Sequence, residues 1–63
     1  MLNTDDKEKV VKSSQTANLL VQDLRELVKS DNLLLGEIAL EILREAVQIE
    51  QRLKRIESII QNP

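Results

Sequence analysis

Residues 27–37 read LVKSDNLLLGE. A helix either continues through this stretch or ends within it, and the apolar periodicity on its two sides tells which. On the N-terminal side a heptad frame places Val10, Ala17 and Leu24 at position a and Ser13, Leu20 and Leu27 at d, with Ser14, Val21 and Val28 widening the stripe at e. On the C-terminal side Ala39, Ala46, Leu53 and Ile60 occupy a, Leu35, Ile42, Ile49 and Ile56 occupy d, and none of these is polar. The frames do not join: the first, carried forward, puts a at Asp31, whereas the second, carried back, puts it at Asn32. A continuous coiled coil accommodates such a slip poorly. It falls in Ser30-Asp31-Asn32, residues that compete for backbone hydrogen bonds and are strong helix N-caps. A chain reversal is predicted there.

The expected architecture is all-α, a single αα-hairpin domain over residues 1–63 with a helix over about residues 5–29, a turn at about 30–32 and a helix over about 33–61. Asp5 and Glu8 have capping-box spacing and are read as the start of the first helix, where Asp5, Asp6 and Glu8 also complement the helix dipole. Gly36, the only glycine, costs about 1 kcal/mol inside a helix relative to Ala; it is read as tolerated, with close backbone approach at the bundle end as the alternative.

Composition narrows the function classes. The 63-residue chain has no Cys, no His and no aromatic residue, so disulfide staples, zinc sites, thiol nucleophiles and the usual neutral-pH base are all absent. Carboxylates without Glu-x-x-His pairs, and with aliphatic inward positions, rule against a di-iron bundle. Ser13 and Ser14 have no partner to activate them and are read as small packing residues. One glycine builds neither a phosphate loop nor a calcium loop. The expectation is no enzyme, no cofactor and no small-molecule substrate. Apolar runs reach only the length of Leu33–Leu35, far below the roughly 20 residues of a membrane span, and no signal-peptide pattern opens the chain. A cytoplasmic protein is expected.

A chain of this length buries only about 60% of its unfolded surface, so its own core is marginal. The first half of the second helix also carries Ile38, Ala39, Leu40, Ile42, Leu43, Ala46 and Val47, an arc wider than one facing helix covers. A homodimeric, coiled-coil-like four-helix bundle follows, with Leu20, Leu24, Leu27, Leu35, Ala39, Ile42, Leu43, Ala46, Ile49, Leu53 and Ile56 as its core and dimer interface. Residues 23–45 hold six acids (Asp23, Glu26, Asp31, Glu37, Glu41, Glu45) against three bases (Arg25, Lys29, Arg44), while residues 46–63 hold Arg52, Lys54 and Arg55 against Glu50 and Glu57. Turns at opposite ends would set the acidic half beside the partner's slightly basic half, so the antiparallel dimer is expected. With the turn centred near Asp31, Val10 should face Leu53, Ala17 face Ala46 and Leu24 face Ala39, which puts a layer of alanines near the twofold axis.

Two basic clusters, Lys7, Lys9 and Lys12 with Arg52, Lys54 and Arg55, should share the termini end of the hairpin and could meet nucleic-acid phosphate. Against that, Glu8 to Lys12 and Glu50 to Lys54 have the i,i+4 order of intrahelical ion pairs, the net charge is −2, and no aromatic residue is present to stack on a base. Solvated, salt-bridged faces are the preferred reading. Off-seam apolars, including Val11, Leu19, Leu33, Leu34, Ile38, Leu40, Val47 and Ile59, are either dimer core or a docking surface for another protein.

The length, the hairpin around KSDNLLLGE, and the stretch from ANLLVQDLREL to QRLKRIESIIQNP resemble a small protein family of the Sulfolobus spindle-shaped viruses, the fuselloviruses. That resemblance, which covers essentially the whole chain, implies a helical hairpin dimerising into an antiparallel four-helix bundle, an adaptor role in macromolecular assembly, a viral or host protein as partner, and the host cytoplasm as location. The general plan is also similar to the plasmid repressor-of-primer protein, which makes a small nucleic-acid-binding regulator the alternative function.

Overall fold

The computed structural model describes residues 3–61 and consists of two helices, α1 (Thr4–Val28) and α2 (Leu33–Gln61), folded back on each other as a hairpin. Both helices are long for a domain of this size, and the molecule is a rod of 46 × 15 × 13 Å.

Side-chain caps define the helix starts. Asn3, with extended backbone (φ −88°, ψ 176°), accepts the Asp6 N–H on its Oδ1 at 2.8 Å and the Lys7 N–H on its carbonyl at 3.1 Å. This corrects the capping-box expectation at Asp5 and Glu8. Asp5 already lies inside the helix, where its carboxylate pairs with Lys9 at 3.0 Å instead of reaching back to the cap. Asn32 repeats the Asn3 arrangement for α2, its Oδ1 accepting the Leu35 N–H at 3.0 Å and its carbonyl accepting the Gly36 N–H at 2.9 Å. Between the helices, Lys29 and Ser30 donate their N–H groups to Glu26 and Leu27, which tightens the end of α1, and Ser30 Oγ accepts from the Asn32 N–H at 3.0 Å. Ser30 and Asn32 thus satisfy backbone donors at the bend with their own side chains, and no residue there takes a positive φ.

Gly36 sits at a close approach of the two backbones, the alternative to mere tolerance. A Cβ on Gly36 would lie 3.1 Å from the carbonyl oxygen of Val28, a backbone atom of the opposing helix that would have to give by a few tenths of an ångström. The glycine lets the start of α2 approach the end of α1.

The helices face each other through positions a and e of both heptad frames. Ser14, Ala17, Val21 and Leu24 of α1 and Ala39 and Ala46 of α2 are buried, and Val10, Val28, Leu43, Leu53 and Ile60 are half-buried beside them. Ala46 packs with Val21 and Leu24, flanked by Leu43 and Val47. The expected facing of Ala46 with Ala17 is therefore displaced, by about one helical turn along α1. Helical side chains lean toward the N-terminus of their own helix, so in an antiparallel pair a residue of α2 meets one of α1 whose Cα lies nearer the bend. Asn18 Nδ2 donates to Glu50 Oε2 at 2.7 Å with the same offset, and Gln22 Nε2 donates to Asn18 Oδ1 at 2.7 Å. Glu50 is thus held across the hairpin by Asn18, in place of the expected pair with Lys54.

Asn32→Ala should lower unfolding free energy by about 0.5–2 kcal/mol, the usual loss of an N-cap, as read by urea denaturation. Gly36→Ala should lower the melting temperature rather than deliver the gain of up to about 1 kcal/mol that an unhindered helical glycine would yield.

Candidate interaction surface

Burial divides the predicted core residues into two sets. Leu24, Ala39 and Ala46 are enclosed within a single hairpin and Leu43 and Leu53 half-enclosed, whereas Leu20, Leu27, Leu35, Ile42, Ile49 and Ile56 remain 38–49% exposed. The exposed set is the d position of both frames. With α1 and α2 antiparallel and facing through a and e, a turn of the same sense from the seam leads to the same side of the hairpin in each helix. The d residues of the two helices therefore form one aliphatic face, with Ile38 and Ile59 at its α2 margin.

The exposed surface of the chain as a whole can be set against a globular standard. A compact monomer of this mass would expose about 4,100 Å² and have a radius of gyration of about 11 Å. The chain exposes 5137 Å² with a radius of gyration of 14.5 Å. The excess, on the order of 1,000 Å², is comparable to the roughly 800 Å² that each partner contributes to a standard protein interface. Covering the rest of six half-exposed Leu and Ile side chains would contribute about 1 kcal/mol each.

The basic residues form a weaker assembly. Lys7, Lys9, Lys12, Arg52, Lys54 and Arg55 are all exposed, and the Lys9 ammonium is engaged by Asp5. Lys54 and Arg55 line a shallow open depression with Glu50, Gln51 and Ser58, all from α2, to which the α1 lysines do not contribute. Among the described residues no group of three acidic side chains converges as a metal site would need, and no helix is long and apolar enough to cross a membrane. Ser14 is buried in the seam while Ser13 is exposed, and no buried polar side-chain atom among the described residues lacks a hydrogen-bond partner.

Sequence reasoning placed Ser14, Val21 and Val28 at e on the margin of the first stripe but left them out of the predicted core. Val21, the most deeply buried large side chain at 1% exposure, and Ser14 stand at the centre of the seam instead. A stripe of small residues at a and e (Ser14, Ala17, Ala39, Ala46) was the available signal, since small side chains mark a close helix crossing. No family model, characterised protein or solved structure matches this chain.

Ala46→Leu should cost about 1–3 kcal/mol, because the methyl group is already enclosed by Val21, Leu24, Leu43 and Val47, while Leu at exposed Gln48 should be nearly neutral. Chemical denaturation of the two variants measures the difference.

Proposed function

We propose that the chain is one half of a homodimeric, antiparallel four-helix bundle with no catalytic activity, acting as an adaptor between other macromolecules. The observation that carries this reading is the aliphatic d face, Leu20, Leu27, Leu35, Ile42, Ile49 and Ile56, which the hairpin builds but leaves uncovered. A second copy offers the same face, and a twofold axis makes such a patch complementary to itself. Turns at opposite ends bring the net-acidic segment 23–45 beside the slightly basic residues 46–63 of the second chain. Off the d face lie the exposed Leu19, Leu33, Leu34 and Leu40, available for a further protein as an adaptor requires. The fuselloviral resemblance implies the same assembly and role.

Sedimentation equilibrium should give a dimer at micromolar concentration, with a melting temperature that rises with protein concentration. Ile49→Lys, which puts a charge in the proposed interface, should weaken the dimer by 100-fold or more, whereas Gln48→Lys on the outer surface should leave it intact. A compact monomer with concentration-independent melting would remove the basis of the proposal. A salt-sensitive mobility shift with duplex DNA or structured RNA would favour the nucleic-acid alternative instead.

A further inference from the structure

The outer side of α2 next to the bend combines exposed leucines with an excess of negative charge, three carboxylates against Arg44. Leu33 and Leu34 are 82% and 67% exposed, and Leu40 is 38% exposed. From Ser30 to Leu43 the sequence contains Asp31, Glu37 and Glu41 and no Lys or Arg, and all three carboxylates are exposed. Lys29, the nearest base before this segment, is already occupied by Glu26 at 3.0 Å. Helical spacing gathers the group: Leu33 and Leu40, like Leu34 and Glu41, are two turns apart on the same line, and Glu37 lies between them.

This strip is not part of the d face. Leu33 and Leu40 occupy position b, which borders the seam on the flank opposite Leu35 and Ile42, and Leu34 and Glu41 occupy position c on the outer side of α2. A second copy seated on the d face would leave it open. Its charge also selects the occupant: another bend end carries the same acids and would be repelled, as would an anionic lipid surface or nucleic acid, whereas leucine-rich surface carrying three carboxylates, with Arg44 the one base at its far end, complements an amphipathic helix with basic margins.

We propose that Leu33, Leu34 and Leu40, with Asp31, Glu37 and Glu41, form a docking strip for a basic amphipathic helix of a partner protein. Resting on the antiparallel dimer proposed above, the inference makes the adaptor bivalent. Each dimer carries two identical strips, one toward each end of a bundle of hairpins that are each 46 Å long, and so joins two copies of its partner without bringing them into contact.

The test uses the full chain and a synthetic helical peptide of about 18 residues, five turns, with leucines along one face and lysines beside them, and a twin peptide with glutamates in place of the lysines. Isothermal titration should show the lysine peptide binding at one per chain, and the glutamate peptide not binding. Leu34→Gln/Leu40→Gln and Glu37→Lys/Glu41→Lys should each weaken binding at least tenfold, and Leu19→Gln, an exposed leucine of α1, should not. Circular dichroism confirms that the variants keep their helix content. Loss of binding on charge reversal but not on leucine replacement would mean mere charge attraction and would overturn the strip, as would no binding to the wild-type chain. Sedimentation of the same samples separates the two proposals: a dimer that does not bind the peptide defeats only the docking strip, while a monomer that binds one peptide defeats bivalency and the dimer but not the strip.

Discussion

The structure depends on how closely α1 and α2 approach. Ser14, Ala17, Ala39 and Ala46 are buried in the seam, and Gly36 at its bend end would bring a Cβ within 3.1 Å of the Val28 carbonyl if it had one. Small side chains let the backbones come together, and close backbones leave room for few large ones. The hairpin core is therefore thin, with Val21 and Leu24 as its principal large residues. Most of the big aliphatic side chains of α2 end up on a flank instead. A hairpin closed by alanines is well defined and at the same time incomplete, and the uncovered d face follows directly from the narrow seam.

Within that seam the polar contact between Asn18 and Glu50 has a different kind of effect. Aliphatic surfaces can slide over one another at small cost, but a carboxylate held by an amide at 2.7 Å, partly screened from water, loses its partner if the helices shift by a turn. Gln22 braces the same Asn18 from one turn away. This contact shares the offset between α1 and α2 that the lean of their side chains produces and opposes a slip from it, and the offset determines which d residues of α1 stand beside which d residues of α2.

The two ends of the rod differ in chemistry for reasons that lie in local sequence. Near the bend, carboxylates stand among exposed leucines with no base between Ser30 and Leu43, while the opposite end carries Lys7, Lys9, Lys12, Arg52, Lys54 and Arg55 interleaved with acids. Mixed charges such as Lys9 with Asp5 neutralise each other locally and leave an ordinary solvated surface. The bend end has no such neutralisation beyond Lys29 with Glu26. The polarity of the rod is thus one of composition as much as of chain direction.

The amino-acid sequence determined the two helices and the place of their reversal, because helical periodicity and N-capping act over a few residues and can be read locally. The slip between the heptad frames, and the hydrogen-bonding side chains of Ser30 and Asn32, both lie within that reach. It also indicated the apolar stripes, though not which part of each stripe faces the other helix. That choice belonged to the tertiary structure. Positions a and e carry the small residues that permit close packing, so they turn inward, and d, with its larger Leu and Ile side chains, stays out even though by hydrophobicity alone it is the stronger stripe. The start at Asn3, the space taken up at Gly36 and the displaced facing of Ala46 likewise emerge only when two backbones and the lean of their side chains are placed together, since each depends on atoms distant in sequence or on a cap geometry that spacing alone does not specify.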